Sequence, residues 1–261
     1  MKRLHRGQRK VVRECKRFNV LQCGRRFGKT TLGMNLAIEC AVKGGIVGWF
    51  SPTYKTMAEQ MNEAAETLRP IITQHNKVEQ QMRLMGGGVI DFWSLDNPNS
   101  GRGRKYKRII IDEASVIRDL QEAWQQTIRP TLTDYKGDAW FLGTPKGRNF
   151  FHQLFLKGQS EERGWRSWRI GTIDNPYMDA GEIADARADL PEHVFEQEFL
   201  GIPADDGGNP FGIDAIRSCV TGELSGCAPH SFGIDLAKSV DWTVVCGLDE
   251  AGCVCTLDRF Q

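Results

Sequence analysis

Apolar positions along the chain fall into short runs separated by stretches of helical period. Phe18–Cys23 is a short apolar run closed by a glycine-rich turn, and Thr30–Val42 behind it carries helical spacing. Gly45–Phe50 reads as a second strand. Thr53–Leu68 reads as a helix closed by Pro70, and Val89–Trp93 alternates weakly as a strand. Ile109-Ile110-Ile111, inside Arg108–Asp112, has the unbroken apolar character of a strand buried on both faces. Asp119–Ile128 reads as a helix stopping before Pro130, and Ala139–Gly143 and Trp165–Ile170 as further strands. Two helices, Ala180–Leu190 and Glu192–Leu200, follow, the second started by Pro191. Strands separated by helices predict an α/β fold whose mainly parallel sheet is flanked by helices.

The pattern changes after residue 200. Pro203, Gly207-Gly208 and Pro210 interrupt it, so 201–230 is expected to be a linker between a first domain (1–200) and a second region (231–261). That region holds three closely spaced strand runs, Ser231–Leu236, Thr243–Leu248 and Cys253–Leu257. Asp249-Glu250-Ala251-Gly252 suits a hairpin turn between the last two.

No stretch approaches the roughly 20 apolar residues of a membrane span, and the basic N-terminus lacks the apolar core of a secretory signal. Eight cysteines without repeating spacing read as reduced thiols, not as a disulfide framework. The net charge of +1 hides an uneven distribution. Residues 1–30 hold eleven Lys or Arg against Glu14, residues 102–108 hold five bases and no acid, and 179–214 hold ten acids against Arg187. Charge runs are ordinarily solvated faces, but these basic segments flank the motifs below, which points to a polyanionic partner.

Gly28-Lys29-Thr30 fits the end of the phosphate-binding loop pattern, in which Gly and four residues precede Gly-Lys-Ser/Thr. Cys23 occupies the first glycine position and Gly24 comes one place late. The physical requirement survives, because flexible backbone between a strand and a helix turns its N–H groups onto phosphate oxygens. Lys29 would reach the β- and γ-phosphates of ATP, and the Thr30 hydroxyl would meet Mg²⁺. Arg25 and Arg26 are both candidates to stabilise γ-phosphoryl charge in cis.

The Ile109–Ile111 strand delivers Asp112 and Glu113 to its carboxyl end, where open α/β sheets bind ligands. Asp112 suits a magnesium ligand and Glu113 a base for the attacking water. A kinase whose substrate supplies the nucleophile does not need the second acid, so the pair favours ATP hydrolysis. The next buried strand ends in Gly143-Thr144-Pro145-Lys146-Gly147, whose Thr144 hydroxyl is placed to sense the γ-phosphate.

Together these residues resemble the large terminase subunit of tailed double-stranded DNA viruses, the motor that pumps DNA into procapsids. Leu4-His5-Arg6-Gly7-Gln8 is similar to that family's adenine-recognition segment, with Gln8 as the base reader. Ser51-Pro52-Thr53-Tyr54, Ser100-Gly101-Arg102-Gly103, Thr144–Asn149, Asp174–Tyr177 and Phe195–Phe199 also resemble family segments. Replacement of the first loop glycine and arginine inside the loop are usual there, so Cys23 is no objection. The resemblance implies a P-loop ATPase that translocates duplex DNA. Implied partners are a portal protein, a small terminase subunit and a homo-oligomeric ring, in the host bacterial cytoplasm and transiently on the procapsid. Arg102 is then either an arginine finger reaching a neighbouring subunit's ATP or a DNA contact in a basic loop.

Phe232–Ala237 followed by Asp241-Trp242-Thr243 resembles the start of the family's RNase H-like nuclease, which uses two Mg²⁺ or Mn²⁺ ions. Asp235 would be its first metal ligand and Asp241 a weaker candidate. The remaining acids would lie beyond Gln261, so no competent nuclease is expected of these residues. Alternatives are a nucleic-acid-stimulated helicase-like ATPase, a nuclease with a vestigial ATPase, and an inactive prophage remnant.

Overall fold

The computed structural model describes residues 3–160, 162–204, 218, 223–237 and 242–260. The chain divides into two compact units, Met1–Gly208 and Asn209–Gln261.

The first unit is built on an eight-stranded sheet. Its strands are β1 (Phe18–Cys23), β2 (Ile46–Ser51), β3 (Ile72–Asn76), β4 (Gln81–Leu84), β5 (Val89–Ser94), β6 (Arg108–Ile111), β7 (Asp138–Gly143) and β8 (Trp165–Ile170). Their spatial order is β3-β4-β5-β2-β6-β7-β1-β8. From β5 to β8 every neighbouring pair is parallel, and the β3–β4 hairpin adds two antiparallel strands at one edge. The parallel centre and flanking helices match the expectation.

Alternation along the strands splits the core in two, because successive side chains point to opposite faces. Ile110, Leu21 and Leu142 face one layer, which contains α2 (Lys29–Val42) and α3 (Tyr54–Leu68). Ile109, Ile111, Val20 and Phe141 face the other, with Trp124, Leu132 and α5 (Phe150–Gln159). Thr53 caps α3 by accepting from Thr56 N–H, and Asn149 caps α5 by accepting from His152 N–H, each filling an otherwise orphaned donor.

The structure departs from the sequence pattern in several places, and β3, β4 and α5 were not expected at all. The expected helix 119–128 is one short α-turn, α4 (Leu120–Glu122), that widens into a π-helical turn at Ala123–Ile128, where Trp124 packs edge-on against Phe141. The stretch 192–200 likewise starts as α7 (Glu192–Phe195), following α6 (Ala180–Asp189), and widens over Glu196–Leu200. A helix that the apolar pattern does not announce, α1 (Arg6–Glu14), precedes β1.

The second unit contains β9 (Ser231–Asp235), β10 (Thr243–Leu248) and β11 (Val254–Phe260) in an antiparallel sheet ordered β11-β10-β9. The Asp249 carboxylate accepts from Ala251 N and Cys253 N in the turn between β10 and β11. Part of the expected linker belongs to this unit: Ser225 N donates to Val254 O and His230 N to Leu248 O. Pro210 and the Gly207-Gly208 pair lie outside the described residues.

Candidate functional site

Strands β6, β7 and β1 are consecutive and parallel, so their carboxyl ends open on one edge of the sheet. There a cleft of ≈ 530 Å³ is lined by Arg25, Arg26, Lys29, Thr30, Glu113 and Thr144, among others. Those six come from three separate loops, each placed by one strand.

Gly28 caps α2 with a left-handed φ of 93°, a conformation glycine adopts without a Cβ clash. No side chain caps this helix, which leaves its first N–H groups for an anion drawn by the helix dipole. Behind the loop, three backbone groups are fixed by other segments. Gly24 N donates to Ile170 O (3.0 Å), Thr172 Oγ1 to Arg25 O (2.7 Å) and Asn175 Nδ2 to Arg26 O (2.6 Å). Cys23 is the last residue of β1 and fully buried, and burial pushes its thiol up to about 12. The loop's turn therefore begins at Gly24, and the position where the pattern expects glycine is ordinary strand.

A Cβ on Gly24 would lie 2.2 Å from Phe199 O and 2.6 Å from Thr172 Oγ1. Backbone cannot yield as a side chain does, so Gly24→Ala is expected to destabilise the first unit by roughly 1–3 kcal/mol. A drop in thermal midpoint checks this; an unchanged midpoint would show that the 196–200 segment is free to move.

Gln8, the expected adenine reader, lies behind the loop. It is buried, its Oε1 accepts from His5 N (3.0 Å), and its Nε2 donates to Gly28 O (2.9 Å). Both ends of the amide are thus committed to holding the loop. The His5 ring joins in through Nε2, 3.1 Å from Phe27 O.

Lys29 is 6% exposed, and its Nζ donates to Thr144 Oγ1 (2.9 Å) and Gly24 O (3.3 Å). Thr30 Oγ1 donates to Asp112 Oδ2 (3.0 Å), while the buried Asp112 Oδ1 has no protein partner. Burial first, then the Glu113 carboxylate, push the Asp112 acid up to about 7, against the Thr30 hydrogen bond and the Lys29 charge. Glu113 is half-buried at the cleft with φ 47° and ψ 41°. Such a left-handed non-glycine backbone costs on the order of 1 kcal/mol and tends to persist at functional positions. Arg25 lines the cleft mouth, its Nε paired with Glu198 and its backbone N–H donating to Glu198 O (2.7 Å).

The family described as Terminase large subunit, T4likevirus-type, N-terminal matches residues 20–218, most of the chain. The chain belongs to this family. It is 29% identical over 195 residues to the large terminase subunit of Escherichia phage T5, covering 70% of this chain and 43% of that one. With the large terminase subunit of Thermus phage G20c it shares 27% identity over 311 aligned positions, covering 98% of this chain and 62% of that one. The chain therefore spans between 43% and 62% of the length of these two relatives. Its fold matches the large terminase ATPase domain of Thermus phage P74-26 with a TM-score of 0.65 at 22% identity, over 76% of this chain and 93% of that one.

The other expected site residues were not assigned to this chain's own cleft. Arg102 lies in an exposed loop, its Nη1 donating to Asn99 Oδ1 (3.3 Å), and is not among the cleft-lining residues. Asp235 ends β9 as an exposed acid in the second unit, and no metal-holding group of His, Cys, Asp and Glu occurs among the described residues. Asp241 lies outside the described residues. Sequence reasoning did not assign Glu198, Thr172, Asn175 or His5 their roles as loop supports. The resemblance had marked the segments holding Glu198, Asn175 and His5, but not what they touch.

The raised Asp112 acid predicts a stability effect in this terminase. Its folded-state value of about 7 lies above the roughly 3.9 of an unfolded aspartate, so ionisation is penalised only in the fold. The penalty is absent below about pH 4, grows between 4 and 7, and is complete above 7. In EDTA, Asp112→Asn is expected to be more stable than the parent by roughly 2–4 kcal/mol at pH 8, with the gap closing towards pH 4. Denaturant melts at both pH values check it; a pH-independent difference would locate the effect in packing.

Proposed function

We propose that this chain is the ATP-hydrolysing part of a motor that moves double-stranded viral DNA into a procapsid. The reading is carried by one arrangement: Lys29 bonded to Thr144, with Thr30 and Glu113 lining the same cleft over the uncapped start of α2 and the buried Asp112 bonded to Thr30. Family membership supplies the packaging role, and the matched fold is that of a protein called a large terminase ATPase domain.

In this reading the phosphates lie over the loop N–H groups, with Lys29 Nζ leaving Thr144 for β- and γ-oxygens. Thr144 then registers the γ-phosphate with the hydroxyl that Lys29 has released. Glu113 takes the proton of a water whose oxygen attacks the γ-phosphorus, and the bond to the bridging oxygen breaks to release ADP. Magnesium fits Thr30 and Asp112, whose buried Oδ1 has no protein partner, and would supply charge neutralisation on the phosphate oxygens. Arg25 and Arg26 are the cis candidates for γ-phosphoryl charge, and Arg102 the candidate across subunits in a ring. Cytoplasmic assembly with portal and small subunit belongs to the same reading, as does Asp235 as the first ligand of a longer RNase H-like nuclease.

The direct test is phosphate release from ATP with magnesium, with and without duplex DNA, alongside a strand-displacement assay. Turnover without strand separation is expected. Strand separation would point to a helicase, and absent turnover under both conditions would overturn the reading.

A further inference from the structure

We propose that the outer face of α1 and the end of β8 form a groove that binds the phosphodiester backbone of duplex DNA without reading its sequence. The choice of duplex rests on the motor reading above; the groove itself rests on its own geometry.

At about 100° per residue, Arg6, Arg9, Lys10 and Arg13 fall within an arc of about 100° on α1. Gln8 and Val11, on the opposite side, are buried, whereas the four bases are all exposed. Facing them across a groove of ≈ 730 Å³ are Arg169 and Ile170 of β8 and Asp174 beyond it. Arg6, Lys10 and Arg169 make no ion pair among the described residues, and Arg13 donates only to Arg9 O (3.4 Å).

The groove's two acids are already engaged by protein donors. Glu14 accepts from Trp168 Nε1 (3.1 Å) with Arg166 Nη2 at 3.9 Å, and Asp174 accepts from Gly171 N (3.0 Å). What remains is an unneutralised row of cations about one helical turn apart, each within reach of a separate phosphate. Ile170 is the only large apolar side chain in the lining and no aromatic ring is present, so a base has no aromatic platform to stack on. That favours a phosphate polymer over a free nucleotide. The same helix holds the nucleotide loop from its other face through Gln8 and Gly28, so backbone contact here bears on the loop through one rigid element.

The test uses the full chain and a fluorescently labelled 30-base-pair duplex, with anisotropy titrations from low to physiological salt and no ATP. Arg6→Glu, Lys10→Glu and Arg13→Glu combined are expected to weaken binding roughly 10- to 100-fold and to flatten the salt slope by about three. Reversal of the exposed Lys55, Lys77 and Lys105 controls for net charge and should cost less. Arg6→Lys with Arg13→Lys should bind as the parent does, and a glutamine series at the three positions guards against misfolding. A fluorescent ATP analogue should keep its affinity in the reversed chain. Unchanged duplex binding, or loss of the analogue with duplex binding retained, would overturn the groove as a DNA site. Failure of the ATPase reading would appear separately, as absent turnover by the unsubstituted chain.

Discussion

Glu113→Gln is expected to bind ATP as the parent does and to hydrolyse it roughly 10²–10⁴-fold more slowly. Glutamine keeps the size and shape of glutamate but cannot accept the water's proton. The backbone at this position is already held at φ 47°, so the substitution leaves the strained turn in place and changes only the headgroup. It also removes the neighbouring charge that helps raise the Asp112 acid, so Asp112 should titrate lower. Two measurements separate the roles: steady-state turnover, and affinity for a slowly hydrolysed fluorescent analogue. Lost turnover with retained affinity marks Glu113 as the base. Turnover within a few-fold of the parent would remove it from that role, and loss of affinity would make it a binding residue.

The sequence pattern exposed the centre of the fold far better than its edges, for a physical reason. Ile109–Ile111, Ala139–Gly143 and Phe18–Cys23 are buried on both faces and must be apolar throughout, so their runs are unambiguous. β3 is half open to solvent and reads Ile-Thr-Gln-His-Asn, which no apolar alternation reveals. One local signal was present there: Asn76 Oδ1 accepts from Val78 N and Glu79 N, a turn that asparagine favours. α5 was not expected either, although Asn149 followed by Phe151, Leu154 and Phe155 is a cap with helical apolar spacing. α1 carried no such pattern, because all four of its exposed positions are basic and its cap is His5 with Gln8.

The site divides along similar lines. Lys29, Thr30, Asp112, Glu113 and Thr144 each follow a buried strand, and the structure brings Lys29, Thr30, Glu113 and Thr144 to one cleft with the buried Asp112 bonded to Thr30. Contacts between distant segments, such as Glu198 with Arg25 or Asn175 with Arg26, have no local signature. Gln8 shows the same limit from the other side. A short motif suggested an adenine contact for it, and the fold adds hydrogen bonds to Gly28 and His5 that no motif announced.

Lys29→Ala is expected to lower turnover roughly 10²–10³-fold, the usual cost of one donor aimed at developing charge, and to raise the KM for ATP. The side chain is nearly buried between Thr144 and Gly24 O, so its amine is held at a fixed point of the cleft. Its removal also takes a stabilising cation from beside Asp112, which should push that acid further up in the same variant. The variant further decides where Arg102 acts. That residue sits on a loop with left-handed glycines on either side, away from its own cleft and bonded only to Asn99 among the described residues. If it serves a neighbour's ATP, a chain carrying Arg102→Ala still offers an intact cleft, and a chain carrying Lys29→Ala still offers an intact arginine. Mixing the two inactive chains should then restore turnover at junctions that pair one of each. The recovery should rise with concentration, because it requires assembly. A mixture no more active than its components would remove Arg102 from the trans role and leave it as a phosphate contact in a basic loop.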